Sequence, residues 1–238
     1  LRPVGDQRQP GSSAGMVAAM RTAAFFDMDR TLLSESSTLL WIRYMRERGE
    51  LPVSYILRFV GAMVRYQLGQ LDMVEMTRRL AKDLAGEQEA QRATSTRRWV
   101  TEQVVNFVAP EGLRWLDAHR KRGHRVAMIT ASPAYTADAL AEHLAIPVED
   151  VMATRFEVRN GRFTGRMLEP MVIGEGKLSA AQEYAARNDI DLASSYFYTD
   201  SIADLALLER VGFPVAVNPD RPLLKVAEAR GWDIVRFY

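Results

Sequence analysis

Cysteine is absent from this chain. That excludes disulfides and thiolate metal ligands, and it fits an expected cytoplasmic location. Histidine is scarce: only His119, His124 and His143 occur, at no spacing that suits zinc. The first two flank Lys121-Arg122-Gly123 at a predicted helix end and the third falls on a helix, so solvated or capping roles are expected of them. No charge of one sign dominates. With 31 Lys and Arg against 30 Asp and Glu, the formal net charge of +1 offers no footprint for nucleic acid. Long apolar runs are also missing. The stretch Tyr55–Tyr66 is broken by Arg58 and Arg65 and is too short to cross a bilayer, so no stable membrane insertion is expected. Residues 1–20 have little that could enter a core: Leu1 to Gly15 is rich in Gly, Pro, Ser and Gln. They read as a disordered tail without an apolar leader core.

What is present fits a folded enzyme. The 238 residues, 47% of them hydrophobic, allow one sizeable domain with an insertion. Short apolar runs at Ala23–Phe26, Val126–Ile129, Val151–Thr154, Tyr196–Thr199, Val215–Val217 and Ile234–Phe237 alternate with helical patterns. That alternation predicts an α/β fold, a Rossmann-like parallel sheet with helices on both faces. Phe156–Arg159, Asn160-Gly161 and Arg162–Gly165 read as a β-hairpin, expected to be a flap at the sheet edge. Asn218, in a late turn, is expected to cap. Between 37 and 109 the pattern is helical throughout. Val53, Ile56, Leu57, Val60 and Val64 recur at helical spacing, as do Met73, Met76, Leu80 and Leu84, and a further helix is expected around Trp99, Val104 and Val108 before Pro110. The expected division is a core from 21–36 and 110–238, with a helical insertion at 37–109.

Four stretches hold the chemistry. Asp27-Met28-Asp29-Arg30-Thr31 follows the first apolar run, where a parallel sheet opens its ligand crevice. Its two carboxylates repel, and hard oxygen ligands suit Mg²⁺, although a solvated turn would also read this way. Thr130-Ala131-Ser132 ends the second run; it is either an anion seat or plain helix capping. Lys177, in Gly174-Glu175-Gly176-Lys177, stands at a helix start, where a cation is unfavourable without an anion partner. Finally Tyr196–Thr199 leads into Asp200, with Asp204 four residues on.

In this order, these stretches resemble the haloacid dehalogenase superfamily of phosphohydrolases, and within it the phosphoserine-phosphatase-like branch, whose helical cap is inserted after the first motif. The resemblance runs from Met20 to Tyr238. It implies that Asp27 is the nucleophile forming an aspartyl-phosphate and Asp29 the general acid and base. It implies that Thr130, Ala131 and Lys177 bind the phosphoryl group. Asp27, Asp200 and the carbonyl of Asp29 would ligate Mg²⁺, with Asp204 in support. The last motif departs from the branch's usual G-D-G-x-N-D, keeping both carboxylates but not the glycine and asparagine. Glu35 lies near the place of a substrate-ammonium ligand, one residue early. The place of the branch's substrate arginine falls on Leu80, with Arg78 and Arg79 adjacent and Arg65 a further cation. The expected substrate is a small phosphorylated metabolite, with an amine-bearing phosphate such as histidinol phosphate as the leading candidate. Phosphoserine is the alternative, ahead of phosphotransfer or a non-catalytic binding role.

Overall fold

A computed structural model of the chain describes residues 20–50, 61 and 73–238. Nearly all of the expected tail, the pattern Val53 to Val64, Arg65 and the stretch Tyr55–Tyr66 (Gly61 excepted) lie outside the described residues. No described helix is long and apolar enough to cross a membrane.

Among the described residues, six parallel strands form one sheet: β1 (Ala23–Phe26), β2 (Arg125–Pro133), β3 (Val151–Thr154), β6 (Tyr196–Thr199), β7 (Phe213–Val217) and β8 (Asp233–Val235). A separate antiparallel hairpin is made by β4 (Phe156–Arg159) and β5 (Arg162–Met167). The sheet order β3-β2-β1-β6-β7-β8 reverses direction beside β1. Successive side chains on a strand face opposite ways, so β1 feeds two cores. Phe26 joins Met128 and Tyr198 on one face, and Phe25 joins Ile129 and Phe197 on the other. The first face is covered by α4 (Pro110–Lys121) and α5 (Ala134–His143), the second by α6 (Glu175–Arg187), α7 (Leu205–Leu208) and α8 (Arg221–Arg230). Local signals set the ends of these helices. Pro110 opens α4 with Glu111 in its first turn and basic residues in its last. The Asp220 carboxylate caps α8 by accepting from Leu223 N at 2.8 Å, and left-handed Gly231 ends it.

The described part of 37–109 contributes helices α1 (Ser37–Glu47), α2 (Met73–Asp83) and α3 (Glu89–Glu102). Helix α3 ends before Val104, and Val108 bridges back to Leu33, so the helix expected through Val108 is shorter than its pattern. The β4–β5 hairpin turns at Asn160 and Gly161, both with positive φ. It forms its own two-stranded sheet and follows directly on β3, the edge strand of the main sheet. Phe156 and Phe163 pack with Ala81 and Leu84 of the α2 region, and Gly86 N donates to Phe163 O at 2.9 Å.

Two further expectations are corrected at the chain's late turns. Strand β8 stops at Val235, and Phe237 is instead buried near Trp115 and Tyr198. Asn218 caps no helix. It clasps this segment, accepting from Phe237 N at 3.3 Å and donating its own N–H to Val235 O at 2.9 Å.

His119, expected in solvent, is fully buried beneath the sheet. Its Nε2 lies 2.7 Å from the Tyr198 hydroxyl and its Nδ1 2.8 Å from Nδ1 of His124, so one proton serves the facing nitrogens. Burial, then the charges of His124 and Arg122, lower its pKa to about 4. A histidine buried neutral stabilises the fold above its unfolded pKa and loses that contribution as pH falls toward the folded one. Denaturant unfolding should therefore show a loss between pH 6.5 and 4 traceable to this group, on the order of 3 kcal/mol when complete. His119→Gln should shrink the difference in stability between pH 7 and pH 5; an unchanged difference would remove His119 from the account.

Candidate active site

Where the strand order reverses, the carboxyl ends of β1 and β6 leave a crevice between their diverging connections. Asp27 is the first residue beyond β1, its N–H bonded to Tyr198 O at 2.9 Å. The chain then makes one wide turn. Leu33 N closes it on Met28 O at 2.8 Å, with Asp29 extended and Arg30 left-handed at φ 55°. Thr31, Leu32 and Leu33 are buried and anchor the turn to the core.

Lys177 enters from the start of α6 and is 4% exposed. Its ammonium donates to Asp27 Oδ1 at 2.6 Å and to Asp204 Oδ2 at 2.7 Å. Thr199, at the end of β6, donates its hydroxyl to the same Asp204 oxygen at 2.6 Å. The helix start can come this close only because residue 176 is glycine. A Cβ there would stand 1.9 Å from the Met171 carbonyl oxygen. Lys177 therefore has an anion partner, two of them, as its position at a helix start implied.

Among the described residues the buried charges do not balance: Asp27 and Asp204 share the Lys177 ammonium, and Asp200 lies within its field. Burial drives the Asp27 carboxyl well above its ordinary range, with Asp204 and Asp200 adding to the rise and Lys177 opposing it. Burial likewise pushes Asp200 up to about 7, against Lys177 and Arg30. Burial also opposes the charge on Lys177, but Asp204 and Asp27 outweigh it and hold the lysine protonated above its usual value. A site of oxygen donors short of positive charge suits a hard divalent cation. Among the described residues no three His, Asp or Glu side chains form a cage of their own. Asp27 and Asp200 would need the Asp29 carbonyl and water to complete a shell, as Mg²⁺ commonly retains waters.

The Asp29 carboxylate is held by a different set of partners. It accepts from the Ser37 backbone N–H and, at 2.6 Å, from the Ser132 hydroxyl. Thr130 is buried and its Oγ1 accepts from Ser132 N at 3.1 Å. The β2–β3 register jumps between Thr130 and Pro133, which takes Ala131 and Ser132 out of the ladder. Sequence gives Ser37 and Thr199 no role, and Ser132 enters only within the hydroxyl-bearing stretch Thr130-Ala131-Ser132. Thr199 directly precedes Asp200, whereas Ser37 stands eight residues from Asp29.

Glu35 is half-buried after the turn and contributes to the field at the Tyr238 phenol, which donates to the Arg30 carbonyl at 3.0 Å. Arg78 is not brought to the carboxylates. Its guanidinium is exposed and pairs with Glu169 at 3.3 Å. Arg79 pairs along its own helix with Glu75, and half-buried Leu80 packs on the Phe156–Phe163 cluster.

Gly176→Ala should force the start of α6 away from Met171, destabilising the protein by about 1–3 kcal/mol or more. Urea unfolding checks this, and a wild-type midpoint would show that the close approach is dispensable.

Residues 24–209 match the haloacid dehalogenase-like hydrolase family. A probable phosphatase of Mycobacterium tuberculosis is 34% identical over 238 residues, spanning 99% of this chain and 82% of that protein. A phosphoserine phosphatase of the same organism is 30% identical over 238 residues, spanning 98% and 74%. A histidinol-phosphatase of Neisseria meningitidis is 28% identical over 223 residues, spanning 92% and 100%. Among solved structures, a Bordetella pertussis protein of unknown function superimposes with a TM-score of 0.84 at 28% identity, over 92% of this chain and all of that one. The chain belongs to the haloacid dehalogenase-like hydrolases.

Proposed function

We propose that this hydrolase is a Mg²⁺-dependent phosphomonoesterase acting on a small, amine-bearing phosphorylated metabolite such as histidinol phosphate. The observation that carries the reading is the buried Lys177, which bridges Asp27 and Asp204 at the mouth of the parallel sheet, with Asp200 alongside. A phosphomonoester dianion is repelled by a carboxylate nucleophile, so attack needs positive charge placed beforehand.

Each side chain then has work that its geometry allows. Asp27 attacks phosphorus; the bond to the ester oxygen breaks and an aspartyl-phosphate forms. Asp29 gives its proton to the departing alkoxide, then takes one from the water that cleaves the acyl phosphate. Lys177, Thr130 and the freed backbone at Ala131 hold the phosphoryl oxygens. Asp204, held by Lys177 and Thr199, keeps the ammonium in place. A divalent cation bound by Asp27, Asp200 and the Asp29 carbonyl would add the charge that the carboxylates lack. The helices of 37–109 follow directly on the turn and serve as a cap that excludes water and selects the leaving group.

Two observations support an amine over a carboxylate on the substrate. Arg78 is engaged with Glu169 in solvent, and Leu80 packs internally, so neither offers a cation to a substrate carboxylate. Glu35 remains as an anion close to the catalytic turn, and the histidinol-phosphatase relative points the same way.

Asp27→Asn should abolish phosphate release from p-nitrophenyl phosphate while the circular dichroism spectrum stays native. Full turnover in this variant would remove Asp27 as nucleophile. Thorough chelation should silence the wild type and added Mg²⁺ restore it; activity persisting in excess EDTA would refute the metal requirement. For the substrate, kcat/KM should be higher for histidinol phosphate than for phosphoserine. The reverse order, abolished by Arg78→Ala, would reassign the protein to phosphoserine.

A further inference from the structure

We infer that Ser132 and Ser37 form a two-armed clamp that positions Asp29, the proposed general acid and base, an inference that rests on the phosphatase reading above. The clamp draws on both parts of the molecule. Ser132 comes from the end of β2 in the sheet, and Ser37 is the first residue of α1, which starts the helical segment. One carboxylate oxygen of Asp29 accepts the Ser132 hydroxyl at 2.6 Å, and the other accepts the backbone N–H of Ser37. The two serine hydroxyls lie 3.2 Å apart, so the arms also touch each other. Both serines are buried.

Three features make this more than a chance contact. Helix α1 leaves its terminal N–H groups without a local cap, since Ser36 at the capping position makes no side-chain bond. Asp29, eight residues earlier, supplies an acceptor to the helix start in its place. Ser132 is free to reach Asp29 because the β2–β3 register breaks around it. The same residue's N–H bonds to Thr130 Oγ1 at 3.1 Å, which leaves the threonine hydroxyl proton for another acceptor. One serine thus ties the proposed phosphate-binding threonine to the proposed acid, and the helix start fixes that acid's second oxygen. Ser132 and Ser37 are positioning residues: they act on the ester only through Asp29.

A proton donor matters most where the leaving group is a strong base. Mispositioning it should penalise alkyl esters far more than aryl esters, whereas general damage to the site penalises both alike. The experiment compares kcat/KM for glycerol 2-phosphate and for p-nitrophenyl phosphate in three variants of the whole protein. Ser132→Ala should lose on the order of 10-fold more on the alkyl ester than on the aryl ester. Ser37→Pro removes the donating N–H at the one helical position where proline is tolerated, and extended Ser36 suits a following proline. It should show the same asymmetry. Ser37→Ala keeps the N–H and should lose less than Ser37→Pro. Equal losses on the two esters in both Ser132→Ala and Ser37→Pro, or no loss in either, would overturn the clamp. Should Ser132→Ala fail to fold, Ser37→Pro decides. A wild type that releases phosphate from neither ester would instead refute the phosphatase reading itself.

Discussion

The buried ammonium of Lys177 is the interaction on which the rest of this site depends. It joins Asp27, 150 residues away in sequence, to Asp204, 27 residues away, and so ties three strand-to-helix connections together at one point. A buried ion pair repays its desolvation only when its geometry is close and its remaining bonding capacity is met. Here the two contacts are short, and the Thr199 hydroxyl supplies Asp204 with a further bond. Removing one partner of such a buried pair costs about 3–5 kcal/mol, because the other is stranded as an uncompensated charge. The residue before the lysine is Gly176, whose missing Cβ lets the start of α6 lie against the Met171 carbonyl.

An excess of carboxylate around that cation follows. Asp27 and Asp200 are both driven toward neutrality by burial, and a neutral carboxyl would serve poorly in the proposed roles of nucleophile and metal ligand. Under that proposal, site chemistry and site stability pull in the same direction: a bound cation would favour the ionised carboxylates and, by binding the folded state, add stability by mass action.

Much of this was legible in the sequence because it is local. Fully buried strands in a parallel sheet write continuous apolar runs, and Ala23–Phe26 and Tyr196–Thr199 are found where the runs lie. Acidic residues immediately after such runs fall at strand ends by chain continuity alone, which brings Asp27 and Asp200 into one crevice. What escaped detection depends on tertiary pairing. His119 has the spacing of a surface residue at a helix end, and only the packing of α4 against Tyr198 buries it. Arg78 lies two residues from the expected place at Leu80, and each residue turns a side chain by about 100°. It meets Glu169 instead. Ser37 and Ser132 are 95 residues apart, and no sequence pattern announces that their hydroxyls meet. The hairpin was visible from Asn160-Gly161, but its partner was not. Turn chemistry sets the shape of a hairpin, whereas its apolar face decides where it docks.

That docking bears on how the molecule can move. Gly86 N, Phe163 N and Glu89 N each bond across between the α2–α3 connection and the hairpin, at 2.9, 3.1 and 2.9 Å. Gly165 brings the two backbones closer still, since a Cβ there would meet that of Ala85 at 3.1 Å. This stitch is one of several contacts between the described helices and the sheet domain: Trp99 and Val100 of α3 share a core with Leu140 of α5, Arg97 pairs with Glu142, and Ser37 donates to Asp29. It differs from them in its foundation, because the hairpin hangs from the edge strand β3 through Arg155. A displacement of the α2–α3 connection must therefore either break these three bonds or carry the hairpin along, bending the chain between Thr154 and Phe156.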